Sequence, residues 1–380
     1  MTKIKLKILH LLYESEQDPF GFGGAAIRTY KIYGHLRARH QILLVCRKYP
    51  GARDRRIRGL DHHFVGRAGG SFTEALLHYA WQARRFVLNH GEDFDVIVEE
   101  FSPATPMFLQ GYGKRPLLLQ IQGFTGLQYV HKYPFHIGFP LLLLERVRPF
   151  FYRRVVHVSR ATAARFRHRP GCRQTVIANG IDRSLLALEP DEENYILYLG
   201  RLDIHHKGID VLLAAFARIA PEHPRLRLQL VGDGRDRQAC LALLRRLPLD
   251  ARRRVDFRGW LDGADKARAL AKATLVVVPS RYETEGIVVL EAAACGKPVL
   301  VSDIEALNYL VKAGGAVSFR CGDAVDLAIQ ITRLLAAPRR RRDLSQNARN
   351  WVAGRTWDET ARQFEALLQQ VVNEDSPTDL

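Results

Sequence analysis

The fold of this chain can be predicted from residues 276–302, which read VVVPSRYETEGIVVLEAAACGKPVLVS. The opening valines favour a buried strand, and the polar stretch from Pro279 to Glu285 predicts a loop. The apolar, alanine-rich stretch after Gly286 predicts a helix that stops at Gly296, before a second apolar strand. A strand, a loop, a helix and a strand in this order form the unit of parallel sheets that helices cover.

The same alternation continues through most of the chain and predicts an α/β protein with parallel sheets. In the first half the predicted strands are Ile4–Leu12, Gln41–Cys46, Val96–Val98, Leu117–Ile121, Val155–Val158 and Thr175–Ile177. The predicted helices between them are Ala25–Arg39, Phe72–Asn89, Leu141–Tyr152 and Ala161–Phe166. In the second half the predicted strands are Tyr195–Leu199, Arg227–Val231, Val255–Phe257, Leu275–Val278, Val299–Ser302 and Val317–Phe319.

Two domains are expected from the length of 380 residues, since one domain commonly takes about 100–200 residues. The alternation breaks at residues 179–182, NGID, and at residues 189–194, EPDEEN. Turn residues and clustered charge interrupt the pattern there. We therefore predict one α/β domain in residues 1–182 and a second in residues 183–356.

The cysteines and the apolar runs restrict the class of protein. Five scattered cysteines without a C-x-x-C pair indicate neither a disulfide framework nor a zinc site, and they fit a reducing compartment. The N-terminus alternates charged and apolar residues as a strand does, unlike a signal peptide. The apolar stretch Phe135–Leu144 is about half as long as the roughly 20 residues that span a bilayer. A cytoplasmic protein is therefore expected.

The net charge of +17 is concentrated in the first half. Residues 1–182 hold 28 Lys and Arg against 13 Asp and Glu, whereas residues 183–380 hold 29 against 27. A basic face attracts anionic lipid, nucleic acid or an acidic substrate. The alternative is an arginine-rich composition without a partner, but such a bias would be expected to charge both halves.

The helix predicted after Gly286 offers a binding site at its first turn. Backbone N–H groups and the positive end of the helix dipole favour a phosphate there. Glu283, Glu285 and Glu291 lie near the same turn, and carboxylates accept hydrogen bonds from hydroxyl groups. A nucleotide-sugar supplies both phosphate and hydroxyls. The alternative is that the acids only stabilise the helix N-terminus, which contributes about 0.3–1 kcal/mol.

A second loop of this kind follows the strand at residues 195–199. Residues 197–210 read LYLGRLDIHHKGID, so Arg201 and Lys207 lie beside the carboxyl edge of the same predicted sheet. Arg and Lys side chains hold a pyrophosphate and stabilise it as a leaving group. A solvated basic turn is the alternative. Residues 231–234, VGDG, and 257–261, FRGWL, are further strand ends that would line a nucleotide pocket.

Together these motifs resemble the nucleotide-sugar half of the GT-B retaining glycosyltransferases, in the large E-x7-E family of the group 1, family 4 type. Glu283 and Glu291 have the E-x7-E spacing. Residues 22–30, FGGAAIRTY, are similar to the glycine loop of that family. Residues 356–364, TWDETARQF, resemble its terminal helix, which crosses back to the first domain.

The resemblance implies a GT-B fold of two Rossmann-like, doubly wound parallel-sheet domains that face a central cleft. Residues 1–182, completed by a helix at about 357–374, would bind the acceptor, and residues 183–356 would bind the nucleotide-sugar. The implied donor-binding residues are Gly23, Gly24, Arg201, Lys207, Gly259, Glu283, Gly286, Ile287, Val288 and Glu291.

Within that set, the resemblance divides the work between charged residues. Arg201 and Lys207 would bind the donor diphosphate, and the backbone at residues 286–288 would bind phosphate. Glu283 would bind the donor sugar, and Glu291 the ribose. The implied catalytic residues are Glu283, Arg201 and Lys207, in a front-face mechanism in which the leaving diphosphate helps to deprotonate the acceptor.

The resemblance therefore implies a retaining hexosyltransferase that needs neither a metal nor a cofactor. UDP-sugar is the default donor of the family, and a GDP-sugar is the alternative. Asp93–Asp95 imitates a metal motif, but it precedes a strand and is predicted to be a turn.

The chain departs from the family on the acceptor side. Many members carry a His after the strand that corresponds to Leu117–Ile121, and this chain has Gln122 there. Glutamine cannot act as a general base, although it can hydrogen-bond a hydroxyl. Glu99 and Glu100, at the end of the preceding strand, are further candidates for acceptor contacts.

Residues 135–154, FHIGFPLLLLERVRPFFYRR, combine apolar bulk with a basic flank. Such a segment is typical of a helix that lies in a membrane interface, and a core helix with arginines on its wet side is the alternative. Together with the basic first half, it favours a lipid-linked or cell-surface glycan as acceptor, at the inner face of the cell membrane.

Two other functions fit parts of the sequence. Residues 21–26, GFGGAA, scan as the G-x-G-x-x-A of a dinucleotide oxidoreductase, and Arg47 would suit an NADP 2′-phosphate. However, these glycines do not directly follow the first strand, as that fingerprint requires. A nucleic-acid-binding protein would explain the basic half, but the aromatic residues are not interleaved with its Lys and Arg.

Overall fold

A computed structural model describes residues 4–16, 23–189 and 191–375. The chain divides into two compact units, one of residues Met1–Asn179 with Trp357–Leu380 and the other of residues Gly180–Thr356. The boundary drawn from the sequence, after residue 182, lies close to this division.

The described residues of the first unit contain an eight-stranded sheet in the order β3-β4-β2-β1-β5-β6-β7-β8. Every neighbouring pair is parallel except β3 and β4, which are antiparallel. Its strands are β1 Lys7–Leu11, β2 Gln41–Arg47, β3 Arg55–Ile57, β4 Leu60–Val65, β5 Val96–Glu100, β6 Leu117–Ile121, β7 Arg154–His157 and β8 Arg173–Val176.

The β3–β4 hairpin is not among the strands predicted from the sequence. Its strands are short and rich in Arg and His, so they lack the apolar alternation of a strand. Ile57 pairs with Leu60, and the two residues between them, Arg58 and Gly59, have φ angles of 49° and 79°. Positive φ at both central residues is the geometry of a tight two-residue hairpin turn, which Asn-Gly signals more often than Arg-Gly.

The described residues of the first unit also contain six α-helices. They are α1 Gly24–Leu36, α2 Phe72–His90, α3 Gln128–Lys132, α4 Phe135–Val147, α5 Arg160–Ala163 and, at the end of the chain, α16 Trp357–Asp375. Short 3-10 helices occupy Gly91–Asp93 and Arg148–Phe151. The predicted helix Leu141–Tyr152 was therefore placed too late, because α4 begins at Phe135 and its α-helical geometry ends before Pro149, whose ring nitrogen has no hydrogen to donate.

The terminal helix α16 belongs to the core of the first unit. Four of its residues, Ala361, Phe364, Leu368 and Val371, recur at helical spacing and are buried in the same cluster as the first strands. Glu365, on the same helix, is 1% exposed and accepts hydrogen bonds from Arg39 Nε at 2.9 Å and from His40 Nε2 at 3.0 Å.

The described residues of the second unit form a six-stranded, wholly parallel sheet in the order β11-β10-β9-β12-β13-β14. Its strands are β9 Tyr195–Leu199, β10 Arg227–Val231, β11 Val255–Gly259, β12 Leu275–Val278, β13 Val299–Ser302 and β14 Ala316–Phe319. Four of these, β9, β10, β12 and β13, match the sequence-based strands residue for residue. Three of them are short, continuous apolar runs, as buried parallel strands are, and β10 alternates polar and apolar residues.

The helices of the second unit connect these strands. They are α6 Arg183–Leu186, α7 Ile204–Lys207, α8 Ile209–Ile219, α9 Arg237–Arg245, α10 Leu249–Arg252, α11 Gly263–Lys272, α12 Ile287–Ala294, α13 Asn308–Lys312, α14 Ala324–Leu335 and α15 Pro338–Val352, with 3-10 helices at Ala220–Glu222 and Glu305–Leu307.

The strand order of the second unit places two loops side by side. Strand β9 lies between β10 and β12, so the chain leaves β9 in one direction and returns on its other side at β12. The loops after β9 and after β12 therefore meet at one edge, at the point where the strand order reverses. Open parallel sheets bind their ligands at this position.

Candidate active site

The N-terminus of helix α12 is shaped by Gly286. This residue caps the helix with a φ of +72°, a conformation that L side chains rarely adopt. A Cβ there would lie 2.9 Å from Leu307 Cδ2. The Tyr309 hydroxyl donates to the Glu285 carbonyl at 2.8 Å and so holds the preceding residue. The N–H groups of Ile287 and Val288 lie in the first turn, where a helix supplies them with no partner of its own.

The structure brings Glu283 and Lys207 together from the two loops. Lys207 Nζ contacts Glu283 Oε1, and the Ser280 hydroxyl donates to the same oxygen at 3.0 Å. The two charged side chains are 14% and 19% exposed, so both remain within reach of a ligand. Oε2 of Glu283 accepts no hydrogen bond from the described residues. The carboxylate is thus oriented through one oxygen and has the other available.

Gly208 allows this contact by letting helix α7 pass close to the β12 loop. Its φ is +63°, and a Cβ there would lie 2.0 Å from the Pro279 carbonyl oxygen. Lys207, the preceding residue, is thereby directed to the loop that carries Ser280 and Glu283. Arg281 also ties the β12 loop to the first turn of α8, because its guanidinium donates to both carboxylate oxygens of Asp210, at 2.9 and 2.6 Å.

We predict that Gly208→Ala lowers the free energy of unfolding by about 3 kcal/mol, because it adds backbone strain at positive φ to a clash with Pro279. Chemical denaturation monitored by circular dichroism would measure the loss. Gly171→Ala is the matched control, since Gly171 also has a positive φ, +78°, but a Cβ there would meet no atom within 4 Å. An equal loss in both variants would contradict the role of the close approach.

Glu291 is paired with a lysine that the sequence analysis missed. Its carboxylate, 5% exposed, accepts from Lys266 Nζ at 2.6 Å. Lys266 lies on α11, which packs beside α12. Nothing in the local sequence around Lys266 distinguishes it from a surface lysine, because the pairing depends on how the two helices lie on the sheet.

Arg201 and Gly259 lie at the same edge of the sheet without joining the Lys207–Glu283 contact. Arg201 follows β9 and its side chain is exposed, while its carbonyl accepts from the Tyr198 hydroxyl at 2.7 Å. Gly259 ends β11, which is separated from β9 by β10, and has a φ of +68°. Gly232, after β10, is needed for close packing here, since a Cβ would lie 1.9 Å from the Gly200 carbonyl oxygen.

In the first unit, the predicted glycine loop is already engaged by an acid. The N–H groups of Gly23 and Ala26 both donate to Glu14 Oε2, each at 3.1 Å, so a carboxylate occupies the N-terminus of α1. A Cβ at Gly23 would lie 2.6 Å from Glu14 Oε1, whereas Gly24 has no atom within 4 Å of such a Cβ. Gly21 and Phe22, quoted with this loop, lie outside the described residues.

The predicted acceptor-side residues have different environments. Glu100 is 2% exposed, accepts from Gln120 Nε2 at 2.7 Å and lies 3.5 Å from His10 Nε2. Gln122 is half-buried, and its Nε2 has no hydrogen-bond partner among the described residues. Glu100 is therefore built into a buried polar network, and the Nε2 donor of Gln122 is buried without a partner among the described residues.

Glu99 does not fit the acceptor role suggested from its position. It is fully buried, forms an ion pair with Arg148 and accepts from the Tyr152 hydroxyl at 2.5 Å. Both of its carboxylate oxygens therefore have partners. The sequence could not show this, because Arg148 lies 49 residues away along the chain.

Two further sequence patterns prove to be structural. Asp93 ends a 3-10 helix, and Asp95 accepts from the Lys7 backbone N–H at 2.7 Å. Arg47 is 2% exposed, so burial keeps it from a nucleotide phosphate. In residues 4–16, 23–189 and 191–375, no group of three or more His, Cys, Asp or Glu side chains could hold a metal ion. No helix in the same ranges has both the length and the apolar character to cross a bilayer.

Comparison with known families identifies the relationship. The family model described as Glycosyltransferase Family 4 matches residues 22–185, and the one described as Glycosyl transferases group 1 matches residues 187–351. The chain belongs to this glycosyltransferase family. Membership confirms the resemblance drawn from the E-x7-E spacing, and it displaces the oxidoreductase and nucleic-acid-binding alternatives.

Solved structures confirm the GT-B fold of this glycosyltransferase family member. Sucrose-phosphate synthase from Thermosynechococcus elongatus aligns with a TM-score of 0.81 at 23% identity, over 97% of this chain and 100% of that one. Anabaena Alr3699/HepE in complex with UDP-glucose aligns with a TM-score of 0.71 at 20% identity, over 96% of this chain and 99% of that one.

A curated relative aligns with only part of this chain. Phosphatidyl-myo-inositol mannosyltransferase of Propionibacterium freudenreichii is 30% identical over 223 residues, 54% of this chain and 55% of that protein. The chain thus spans about half the length of this relative.

Proposed function

We propose that this chain transfers a hexose from a nucleotide-diphosphate donor to an acceptor hydroxyl, with retention of anomeric configuration and without a metal ion. The observation that carries the proposal is the pair of lysine-neutralised acids, Glu283 with Lys207 and Glu291 with Lys266, beside the N-terminus of α12. A nucleotide-sugar has hydroxyl groups that donate hydrogen bonds to carboxylates, and phosphate oxygens that accept hydrogen bonds from N–H groups and lysines. It is therefore the substrate that fits this site.

The lysines explain how acids and a diphosphate can share the site. A bare carboxylate would repel a phosphate, whereas each paired carboxylate contributes little net charge and keeps its capacity to accept hydrogen bonds. In this arrangement Glu291 binds the ribose hydroxyls and Glu283 binds the donor sugar through Oε2. Lys207, Arg201 and the N–H groups of residues 286–288 bind the diphosphate.

The chemistry we propose rests on stabilising the leaving group. As the bond between the sugar and the diphosphate breaks, negative charge grows on the phosphate oxygens, and fixed N–H donors and lysine stabilise it. The acceptor attacks the same face that the diphosphate leaves, and the diphosphate takes the acceptor's proton. No side chain is proposed as a nucleophile, and Gln122 serves only to hydrogen-bond.

A UDP-sugar is the favoured donor, with a GDP-sugar as the alternative. Anabaena Alr3699/HepE, which shares the fold, was solved with UDP-glucose. The relative from Propionibacterium freudenreichii, which aligns over about half the chain, is described as a mannosyltransferase, so its transferred sugar is mannose and not glucose.

The acceptor we propose is a lipid-linked or cell-surface glycan, bound by the first unit at the inner face of the cell membrane. The first half of the chain carries most of the net positive charge, +15 of +17, which suits an anionic membrane. Gln122, with its unpartnered Nε2, and Glu100 are the residues we assign to the acceptor side.

A thermal-shift panel of UDP, GDP, their sugars and NADPH tests the donor proposal. At about 100 times Kd, a true donor nucleotide should raise Tm by about 5–10 °C. The shift should be unchanged by EDTA, and NADPH should give none. Stabilisation by no nucleotide would refute the proposal, and a shift that EDTA abolishes would refute metal independence. Comparing the anomeric configuration of donor and product by NMR tests retention.

A further inference from the structure

Helix α4 exposes a continuous apolar row. Phe135, Phe139, Leu143 and Val147 follow one another at every fourth position, and they are 70%, 47%, 52% and 43% exposed. Residues four apart lie on the same face of a helix. We call these four residues the α4 ridge. Only Gly138 and Glu145 of this helix are buried, so α4 adds almost nothing to the core of its own unit.

Apolar exposure continues on both sides of the α4 ridge. Leu127 is 61% exposed, Phe150 38% and Phe151 46%. Single exposed apolar residues are ordinary on soluble proteins, but a row of this length is typical of a surface with a partner. The helix is also held in place, because a Cβ at Gly138 would lie 2.5 Å from the Tyr129 carbonyl oxygen of α3.

The charge around the α4 ridge selects the kind of partner. Residues 101–181 contain twelve Lys and Arg and one acid, Glu145. Glu145 is 1% exposed, so this range has no exposed carboxylate of its own. Four of its basic residues pair with acids elsewhere in the same unit, namely Lys114, Arg148, Arg154 and Arg173, and the other eight supply the basic character. His136 and Arg146 are exposed on α4 itself, and Arg153 is exposed just after the 3-10 helix Arg148–Phe151. Aromatic and aliphatic residues with a basic flank suit the interface of an anionic lipid bilayer.

Glu145 connects α4 to the loop that carries Gln122. Its two carboxylate oxygens accept from the backbone N–H groups of Thr125 and Gly126, at 2.7 and 2.6 Å. These residues follow β6 and come just after Gln122. Burial raises the pKa of this carboxyl, and the two backbone hydrogen bonds oppose that rise. The helix and the loop after β6 are therefore fastened to each other.

We propose that the α4 ridge inserts into the interface of an anionic lipid bilayer. Because Glu145 hydrogen-bonds the backbone of Thr125 and Gly126, insertion of α4 also restricts the motion of the loop at residues 123–126. Lipid binding is independent of the sugar-transfer proposal. The use of the loop to receive a bilayer-held acceptor rests on that proposal.

Co-sedimentation with vesicles tests whether the α4 ridge inserts into an anionic bilayer. Vesicles of phosphatidylcholine and phosphatidylglycerol in equal parts should bind the protein, and vesicles of phosphatidylcholine alone should bind it far less. The double variant Phe135→Ser, Phe139→Ser should weaken binding roughly tenfold or more, because two exposed aromatic side chains no longer leave water. Trp81→Ser with Leu88→Ser is the matched control, since both residues are about half exposed on α2 of the same unit.

Three results would contradict insertion of the α4 ridge into the bilayer interface. One is no binding to anionic vesicles, and another is equal loss of binding in the ridge variant and the α2 control. The third is a wild-type dimer in size-exclusion chromatography that the ridge variant converts to a monomer, which would make the α4 ridge an interface between two copies of the chain. The nucleotide-induced rise in Tm should be the same in every variant. A loss of vesicle binding with this rise intact would then concern lipid binding alone and not the donor proposal.

Hydrogen exchange tests the connection through Glu145. Anionic vesicles should slow exchange of the Thr125 and Gly126 amides in the wild-type protein, and this slowing should be lost in Glu145→Gln while vesicle binding is kept. Thr125→Pro, which removes one donor without changing α4, should also keep vesicle binding and weaken the protection of Gly126. Equal slowing in the wild type and in Glu145→Gln would contradict the connection.

Discussion

Glu291→Ala is expected to reduce affinity for the donor nucleotide roughly 100-fold to 10,000-fold, because hydrogen bonds to a charged group contribute about 1.5–3 kcal/mol each and two ribose hydroxyls lose their acceptor. The substitution also leaves Lys266 without the carboxylate that it contacts at 2.6 Å. Isothermal titration with UDP, or with GDP if the panel selects it, measures the loss.

A ligand lacking both ribose hydroxyls separates this effect from a general disturbance of the site. The wild-type protein should bind the dideoxy nucleotide as weakly as Glu291→Ala binds the complete one, and the variant should lose nothing further. Glu193→Ala is the protein control, since Glu193 also pairs with a lysine, Lys272, at 2.5 Å, before β9 and away from the ligand edge. Its side chain is 52% exposed, against 5% for Glu291. Additive losses from the variant and the dideoxy ligand would contradict the assignment of Glu291 to the ribose.

Gln122→Ala provides the comparison for the other unit. It should leave nucleotide affinity unchanged and chiefly lower turnover, because its side chain is assigned to the acceptor side. The reverse ordering, with Gln122→Ala abolishing nucleotide binding and Glu291→Ala sparing it, would overturn both assignments.

Lys207→Met should lower kcat roughly 100-fold to 1,000-fold, because it removes a fixed positive charge from the diphosphate as negative charge grows there. KM should change less, since the interaction strengthens in the transition state. Steady-state kinetics with the donor selected by the thermal-shift panel would measure both quantities.

The partner of Lys207 requires a control of its own, because the variant leaves Glu283 without its cation. Combining Lys207→Met with Glu283→Gln removes both charges, and this double variant should regain stability but not turnover. Lys272→Met, which breaks the comparable pair with Glu193, should keep wild-type kcat. A Lys207→Met protein with kcat within a few-fold of wild type would refute the role in leaving-group stabilisation.

The acceptor side was less predictable than the donor side for a physical reason. Glu99 and Glu100 are consecutive at the end of β5, and their sequence suggests the same exposure for both. Alternate residues of a strand point to opposite faces, so Glu99 meets Arg148 and Tyr152 while Glu100 meets Gln120 and His10. Only the packing on each face determines what these acids do.

The glycine loop shows the same dependence on tertiary contacts. From the sequence, Gly23 is predicted to let a ligand approach the N-terminus of α1. In the structure the carboxylate of Glu14 accepts hydrogen bonds from the N–H groups at that position. A helix N-terminus attracts any nearby anion, including a side chain of the same protein. The local pattern cannot distinguish these two anions.

Through its resemblance to a known family, the sequence implied the GT-B fold. By itself, it determined the α/β class, the position of most strands and the residues at the edge of the second sheet. These follow from local causes: apolar runs form buried strands, glycine permits positive φ, and the E-x7-E spacing is carried by one loop and one helix. The tertiary structure alone decided which charges meet. Lys207 and Glu283 are 76 residues apart and Lys266 and Glu291 are 25 apart, and each contact exists only because the strand order places their elements side by side.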